Sequence, residues 1–266
     1  MGIINVTPDS FYDGGVFSKS TDSFEVDISK VLQRVETYVK VGVSIVDIGG
    51  ESTRPGAKRV AVEIELDRTI PAIEAVKKNL DVPLSIDTSS PIVMAEAISA
   101  GVDVINDVRA LSAPGAIGVA LNSNVAVCLM HMRGEPRTMQ KTPQYSDIVS
   151  EVSQFLSERI AACKRVGDLE NRVLIDPGFG FGKTVNHNYQ LLKFLSTFQD
   201  LGFPLLVGIS RKSMIGTVVN RPEKERVYGT IAATVLAISN GASVIRTHDV
   251  AATMDAIRVH CAYKTG

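Results

Sequence analysis

Short apolar runs recur along the chain, and each run ends at or just before a polar residue. Their length and their content of branched aliphatic residues predict buried strands rather than helices. The predicted strands are Met1–Val6, Ser44–Ile48, Val82–Ile86, Val102–Ile105, Val125–Leu129, Arg172–Ile175, Leu205–Ile209 and Val244–Ile245. The polar residues in or just after them are Asn5, Asp47, Asp87, Asn106, His131, Asp176, Ser210 and Arg246.

Helix-length segments separate these strands. Amphipathic helices are predicted at Phe24–Val41, Val62–Asn79, Tyr145–Val166 and Glu223–Asn240. Eight alternating units favour an α/β fold of the (β/α)8 TIM-barrel type, whose active site lies at the carboxyl ends of the strands. An open, doubly wound sheet is the competing architecture.

Composition limits the classes of protein that remain. The chain has 266 residues, 45% of them hydrophobic, and no break in composition marks a linker, so we expect one domain over residues 1–266. A net charge of −1 provides no overall field for nucleic acid, and any anion site must come from local groups. The three cysteines are far apart and predict neither a disulfide framework nor a zinc site.

The sequence also bears on location. No apolar run reaches the ~18 residues of a transmembrane helix, and no basic flank precedes an export signal. We therefore expect a cytoplasmic protein with reduced thiols and no membrane partner. The chain begins almost inside its first predicted strand, which suggests that the native start lies upstream of Met1 and leaves a fusion to another enzyme open.

The segment from Arg172 to Thr184 joins a predicted strand to three alternating glycines. The strand cannot continue through Pro177, so the carboxylate of Asp176 is placed at its C-terminal end. The ending Gly-Lys-Thr resembles a nucleotide phosphate loop, but that motif requires glycine at position 177, which is proline, so the phosphate-loop interpretation fails. A buried carboxylate at Asp176 needs donors, and the N–H edge of a guanidine-like ligand would supply two.

Loops at residues 7–23 and 49–60 follow the first two predicted strands. Asn5 and Asp9 are oxygen ligands suited to Mg²⁺ when a phosphate completes the coordination, although both residue types are also common turn formers. Arg54 is either a solvated surface cation or a ligand of the pocket. Both loops would cover the same face of a barrel, which favours the pocket.

Single polar or thioether residues after other strands allow two interpretations each. Asp87 is either a helix cap or a pocket acid. Asn106 suits a ligand that has both donors and acceptors. Met130 could pack on a flat ring, but it and His131 are more simply interpreted as core and loop residues. His187 is interpreted as a surface or capping residue.

The last two strands lead into cationic segments. Ser210–Ser213 contains two cations and two hydroxyls, which are costly to bury without an anionic or carbonyl partner. Arg246 and His248 precede the last helix, whose N-terminus attracts anions. The last loop of a barrel is a usual phosphate site.

Seven of these segments together resemble the dihydropteroate synthase family. They are Asn5–Phe11, Gly49–Gly56, Ser85–Thr88, Ile105–Val108, Asp176–Lys183, Ser210–Ser213 and Arg246–Asp249, in order along nearly the whole chain. The resemblance implies a TIM barrel that condenses 6-hydroxymethyl-7,8-dihydropterin diphosphate with p-aminobenzoate, giving 7,8-dihydropteroate and pyrophosphate in folate synthesis. One departure is the segment Val16–Glu25, which is longer and richer in serine than the family pattern.

The resemblance also implies roles for individual residues. The pterin would be held by Asp87, Asn106, Met130, Asp176, Phe181 and Lys212. The diphosphate would be held by Asn5, Arg246 and His248, with Mg²⁺ on Asn5 and Asp9. The aminobenzoate side, where sulfonamides compete, would consist of Phe11, Thr53, Arg54, Pro55, Lys212 and Ser213. The residues expected to be catalytic are Asp176, Lys212, Asn5, Arg246 and His248.

Two other functions were weighed against the synthase. A methyltetrahydrofolate:corrinoid methyltransferase would share the pterin-site residues but has no use for Ser210–Ser213 or for the pair Arg246 and His248. A non-catalytic pterin-binding homologue would have lost Asn5, Lys212 or Arg246, and all three are present. The synthase, a transferase of small-molecule substrates, is therefore favoured, and the resemblance implies a homodimer formed through the last helices.

Overall fold

The computed structural model describes residues 1–8, 17–18, 25–54, 56–57, 59–141, 143–167 and 169–266. Eight strands form one sheet in this part of the chain, each parallel to the next in sequence order. They are β1 Gly2–Asn5, β2 Val46–Gly49, β3 Leu84–Asp87, β4 Val104–Asp107, β5 Ala126–Met130, β6 Val173–Asp176, β7 Leu205–Val207 and β8 Ala242–Ile245.

The eighth strand returns to the first. The N–H of Ile3 donates to the carbonyl of Thr247 at 3.0 Å, and the N–H of Thr247 donates to the carbonyl of Met1 at 3.0 Å. Gly2 and Thr247 form a parallel bridge. Because β8 meets β1, the sheet closes on itself, so the predicted (β/α)8 barrel is confirmed and the open doubly wound sheet is wrong.

Helices connect the strands on the outside of this ring. Those in the described residues are α1 Ile28–Val41, α2 Val62–Asn79, α3 Pro91–Ser99, α4 Ala116–Leu121, α5 Ile148–Val166, α6 Val185–Lys193, α7 Ser213–Val219, α8 Val227–Ser239 and α9 Val250–Thr265, with short 3-10 segments at Glu170–Arg172, Leu195–Leu201 and Glu223–Glu225. None of the helices in the described ranges is long and apolar enough to cross a membrane.

Capping residues set several helix starts later than the hydrophobic pattern predicts. The side chain of Asp27 accepts from two amides of the first turn, so α1 begins at Ile28. Asp147 caps α5 in the same way, which moves its start from Tyr145 to Ile148.

The predicted helix Glu223–Asn240 is interrupted. Its first residues form a 3-10 turn, and α8 begins only after Arg226, whose backbone (φ −88°, ψ 7°) leaves the helical region. The seventh strand is also shorter than predicted, since it ends at Val207 rather than Ile209.

The strands are nearly continuous in apolar residues because both of their faces are covered, by the barrel interior on one side and by helices on the other. Ile4, Ile48, Leu84, Ile86 and Ile105 have no accessible surface. Polar residues therefore interrupt this pattern mainly where the strands end. That is the edge to which the candidate site belongs.

Candidate active site at the strand ends

Strand register brings the last polar residues of β1, β3 and β4 into one row, with Gly49 of β2 between them. Asn5 is paired with Gly49, Gly49 with Asp87, and Asp87 with Asn106. On the opposite side Met130 is paired with Asp176. The structure thus gathers these sequence-predicted residues at the carboxyl edge of the barrel.

Arg246 lies between two acids. Its Nε is 2.6 Å from Oδ2 of Asp47, and its Nη2 is 2.7 Å from Oδ2 of Asp87. Burial would lower the pKa of this guanidinium, but the two carboxylates outweigh burial and raise it. The resemblance implies that Arg246 binds the diphosphate. In the structure Arg246 is also the counter-ion of Asp47 and Asp87.

The acids are not fully compensated by this one cation. Oδ1 of Asp47 and Oδ1 of Asp87 are buried, and neither makes a hydrogen bond with any residue that the structure describes. Burial raises the pKa of Asp87 to about 7, although Arg246 acts in the opposite direction. The uncompensated oxygens are places for donors from a ligand.

Asp47 also orients Asn106. The amide Nδ2 of Asn106 donates to Oδ2 of Asp47 at 3.1 Å. Asp47 was seen in the sequence only as a polar interruption of a strand and was not assigned to the site. The signal was a carboxylate inside an apolar run, which must find a partner when it is completely buried.

Asp176 lies at the end of β6, as predicted. Its Oδ1 accepts the N–H of Gly178 at 2.7 Å. Burial raises its pKa, and Lys212 is the largest of the opposing influences. The Nζ of Lys212 donates to the carbonyl of Phe179 and lies 4.6 Å from the ring centroid of Phe181. Burial lowers the pKa of Lys212 to about 8.

Met130 and Phe181 belong to a small apolar cluster at the strand ends, separate from the main core. Val108 and Met139 complete it, and Met132 packs against it. Met130 is thus buried in a hydrophobic cluster, as the simpler interpretation predicts, but in one that lies apart from the main core. A thioether opposite an aromatic ring provides the walls that a flat heterocycle requires.

His131, interpreted from the sequence as a loop residue, is in fact buried. Its Nδ1 lies 2.8 Å from the Nζ of Lys183, which is buried as well. Neither residue has a site role predicted from the sequence, and for Lys183 the phosphate-loop pattern fails at position 177. Their pairing depends on two loops that only the fold brings together.

The cationic segment after β7 has a protein partner. Arg211 forms a bidentate pair with Asp249, with Nε–Oδ2 at 2.7 Å and Nη2–Oδ1 at 2.5 Å. Its Nη1 also donates to the carbonyls of Glu223 and Lys224. Arg211 therefore finds the anionic and carbonyl partners expected for this segment within the protein itself, which leaves Lys212 as the cation expected to meet a ligand.

His248 lies beside Ser210, with 3.1 Å between its Nδ1 and the hydroxyl oxygen. Burial, together with the nearby Arg246, lowers its pKa to about 3. The imidazole is neutral near pH 7, so that it can give a hydrogen bond to an anion but no charge. Arg246 and the N-terminus of α9 supply the positive potential here.

The aminobenzoate side is described only in part. Asp9, Phe11 and Pro55 lie outside the described residues. Thr53 and Arg54 are half-buried, and Nη2 of Arg54 lies 3.4 Å from Oε1 of Glu223. Ser213 is exposed and is the first residue of α7.

A second concavity lies outside the barrel mouth. It is an open cleft of about 650 Å³ whose lining includes Arg133, Tyr145, Glu151 and His187. Arg133 is paired with Glu151 at 2.6 Å and stacks on Tyr145 at 4.0 Å. His187 takes part in the capping box of α6, which confirms its capping role. Because these charges are already matched, we assign the ligand site to the strand ends.

Comparisons with known proteins agree with this geometry. A family described as "Pterin binding enzyme" matches residues 1–248. Dihydropteroate synthase of Escherichia coli K12 is 47% identical over 259 residues, which cover 97% of this chain and 89% of that protein. The enzyme of Haemophilus influenzae is 47% identical over 259 residues, which cover 97% of this chain and 91% of that protein.

Solved structures give the same result. The Yersinia pestis dihydropteroate synthase with a sulfonamide drug has a TM-score of 0.94 at 45% identity and covers 100% of this chain and 94% of its own. The Xanthomonas albilineans dihydropteroate synthase with 4-aminobenzoic acid has a TM-score of 0.91 at 45% identity. The match covers 100% of this chain and 93% of that one. The Burkholderia cenocepacia enzyme complexed with 7,8-dihydropteroate has a TM-score of 0.87 at 43% identity. The match covers 100% of this chain and 91% of that one. The chain therefore belongs to the pterin-binding enzyme family and, within it, to the dihydropteroate synthases.

Proposed function

We propose that this protein condenses 6-hydroxymethyl-7,8-dihydropterin diphosphate with p-aminobenzoate to give 7,8-dihydropteroate and pyrophosphate. The observation that carries the proposal is the row of buried acceptors at the strand ends, which stands opposite two cations, Lys212 and Arg246. The relatives bound to 7,8-dihydropteroate and to 4-aminobenzoic acid support it.

The pterin has an amino group and ring N–H groups on one edge. Asp176 and Asp87 are the carboxylates that would accept from this edge, and each is buried next to a cation. Asn106, held by Asp47, would contribute its amide, and Lys212 would donate to an acceptor of the ring. Met130 and Phe181 would pack on the two sides of the ring.

The diphosphate fits the end of β8. Arg246 would donate to it, His248 would add a neutral hydrogen bond, and the N-terminus of α9 would add its dipole. Asn5, half-buried at the end of β1, would reach it from the other side.

Magnesium is proposed as the cofactor. Asn5 supplies one oxygen at the mouth, near Gly49, and Asp9 is the second proposed ligand. The described residues contain no cluster of three His, Cys, Asp or Glu placed to hold a metal ion. Mg²⁺ is commonly held by one or two side chains and by substrate phosphates. When bound, the ion would neutralise charge that develops on the leaving diphosphate.

The aminobenzoate side would use Lys212, Ser213 and Arg54, with Thr53, Phe11 and Pro55. Its ligand is an aryl carboxylate, which Arg54 or the N-terminus of α7 would attract. Sulfonamides, one of which is bound by the Yersinia pestis relative, would compete here.

The reaction is a substitution at the methylene carbon of the pterin. The arylamine nitrogen forms the new C–N bond, the C–O bond to the diphosphate breaks, and its electron pair leaves with the pyrophosphate. The nitrogen then loses a proton to water or to the departing anion. Because the nucleophile is neutral, this chain's residues need only orient the partners and stabilise departing charge. Asp176 would also stabilise positive charge that develops on the pterin.

We further propose that the protein works as a homodimer in the cytoplasm. Several large apolar side chains on the last helices are exposed, among them Tyr228 (86%), Val259 (69%) and Tyr263 (79%). A second copy of this chain would cover them. Cys128, Cys163 and Cys261 are free thiols, as is usual in a reducing compartment.

The test is release of pyrophosphate on mixing the protein with the pterin diphosphate, Mg²⁺ and p-aminobenzoate. We expect release that depends on aminobenzoate, that is lost in Arg246→Gln and that is kept in Arg258→Gln, whose guanidinium is exposed. Pterin binding without pyrophosphate release in the wild-type protein would contradict the synthase and favour a binding protein or a methyltransferase.

A further inference from the structure

A buried lysine closes the loop after β6. The Nζ of Lys183 lies 2.8 Å from the carbonyl oxygen of Gly178, 3.0 Å from that of Phe181 and 2.8 Å from Nδ1 of His131. The carbonyl of His131 is a further, weaker acceptor at 3.4 Å. Lys183 thus ties its own loop together and joins it to the end of β5.

The arrangement fixes the protonation of both partners. Three close acceptors match the three hydrogens of an ammonium group, whereas a neutral amine has only two. Burial lowers the pKa of Lys183 well below its usual value, and the nearby Asp176 opposes that shift, so the three acceptors around Nζ are the reason to assign an ammonium group. Burial and Lys183 also lower the pKa of His131 to about 2, so the ring is neutral and accepts through Nδ1.

The two loops that Lys183 joins are in direct contact. A Cβ on Gly178 would lie 1.8 Å from the carbonyl oxygen of His131, and one on Gly182 would lie 2.3 Å from that of Arg133. Both glycines have positive φ, at 72° and 64°. Lys183 spans this contact, because its Nζ donates to the carbonyls of Gly178 and Phe181 on one loop and meets Nδ1 of His131 on the other.

This loop carries much of the proposed pterin site. Asp176 precedes it, Phe181 lies within it, and the carbonyl of Phe179 receives the Nζ of Lys212. We propose that Lys183 is a positioning residue of the synthase. It fixes the conformation of this loop and thereby the positions from which Asp176 and Phe181 contact the pterin. The inference rests on the proposed function, since it concerns the same pterin site.

Lys183 also acts on Asp176 through charge. The groups that face Asp176 are Lys212, Lys183 and Arg246, with the neutral thiol of Cys128 beside it. Arg246 is shared with Asp47 and Asp87, so the two lysines are the main cations that favour the ionised carboxylate. The charged groups that face Lys183 are Asp176, Lys212 and Arg133, and the neutral ring of His131 lies beside it.

The rejected phosphate-loop pattern therefore has another use in this fold. The lysine of a nucleotide loop points at a phosphate, but here Lys183 is only 3% exposed and its hydrogen-bond acceptors are protein atoms. Its role is exerted through the loop rather than by contact with substrate.

The experiment compares Lys183→Met, His131→Leu and His131→Asn with the wild type, using Lys193→Met on the exposed face of α6 as the control. Pyrophosphate release gives kcat and KM for each substrate between pH 5.5 and 9, and thermal unfolding reports whether each variant is folded. Free pterin binding, followed by fluorescence, gives an affinity that does not depend on turnover.

We expect Lys183→Met to raise KM for the pterin diphosphate about tenfold or more and to change KM for aminobenzoate much less. Loss of the cation should also move the acidic limb of the kcat/KM profile upward by about one pH unit, since Asp176 then ionises at higher pH. His131→Leu should weaken pterin binding without that pH shift, because the ring is neutral. His131→Asn keeps an acceptor and should restore binding, and Lys193→Met should match the wild type.

The inference fails if folded Lys183→Met keeps the wild-type KM and pH profile. If Lys183→Met does not fold, wild-type pterin affinity in His131→Leu overturns it instead. Failure of the proposed function is distinct, since it would appear as no pyrophosphate release from the wild-type protein whatever the variants do.

Discussion

The strand ends divide into an acidic half and a basic half, which hold their charges in different ways. The acidic half consists of Asp47 on β2 and Asp87 on β3. The basic half consists of Lys183, Arg211 and Lys212 after β6 and β7. In the acidic half a single guanidinium, that of Arg246, serves two carboxylates. In the basic half each cation has carbonyl oxygens of its own.

This difference separates the part of the site that awaits a ligand from the part that supports it. Buried carboxylate oxygens without donors raise the free energy of the folded protein, and a ligand with N–H groups lowers it again. Lys183 and Arg211 have several protein acceptors each, so they hold loops in place, whereas Lys212 donates to one carbonyl and keeps hydrogens for a ligand. The acidic half therefore serves to bind the ligand, at a cost to the stability of the ligand-free protein. The basic half mainly holds the loops in the conformation that binds the ligand.

The largest effect is expected for Arg246→Ala, which removes the counter-ion of the acidic half. Two buried carboxylates then share no cation, and we expect the free energy of unfolding to fall by about 3–5 kcal/mol, with loss of activity. Urea unfolding measures the free energy of unfolding, and pyrophosphate release measures the activity. Arg258→Ala, an exposed control on α9, should change neither. Equal stability of the two variants would mean that the acids are compensated in another way.

Asp176→Asn should separate affinity from stability. An asparagine keeps the acceptor for the N–H of Gly178, so the free energy of unfolding should change by less than about 1 kcal/mol. Pterin affinity should fall about a hundredfold, since a charge-assisted pair of hydrogen bonds is lost. Fluorescence titration measures it, with Asp200→Asn as an exposed control. Unchanged affinity would contradict the role of Asp176.

Glu65 adds a further buried charge behind the acidic half. Burial raises its pKa to about 7, and its Oε1 makes no hydrogen bond with any described residue. The folded state then binds a proton that the unfolded state, with a pKa near 4.5, has lost, so stability should decrease as pH rises from about 5 to 8.

In Glu65→Gln this contribution should disappear, which reduces the loss of stability between pH 5 and 8 by about 2 kcal/mol. Urea unfolding at several pH values measures the slope. Glu63→Gln, exposed on the same helix, should keep the wild-type slope. The same slope in Glu65→Gln would show that Glu65 is ionised throughout.

The smallest effect is expected at Glu223, the partner of Arg54 beside the two halves. Both side chains are about one-fifth exposed, at 23% and 22%, and such pairs contribute less than about 1 kcal/mol. Glu223→Gln should leave stability nearly unchanged and alter KM for aminobenzoate more than kcat, because Arg54 loses a partner. Glu225→Gln, paired with Arg221, is the matched control. An effect on KM for the pterin diphosphate instead would place Arg54 elsewhere in the reaction.

Much of the fold and part of the site follow from local sequence. Apolar runs that end at Asp87, Asn106 and Asp176 predict strands, and parallel strands bring such ends to one edge. Asp47 was missed because its position within an apolar run gives no sign of the partners that it finds across the barrel. Lys183 has no role assigned from the sequence because its acceptors belong to two loops. The loop position predicted for His131 is confirmed, but its burial against Lys183 is not visible in the local sequence.

The sequence by itself determined that eight strand–helix units alternate, which polar residues stand at the strand ends, and which family the motifs resemble. These are local properties, because periodicity and turn chemistry act over a few residues. Only the tertiary structure decided that the sheet closes, that Arg246 lies between Asp47 and Asp87, and that Lys183 is buried against His131. Closure places groups distant in sequence within hydrogen-bond reach, and burial then makes each unmatched charge costly enough to select its partner.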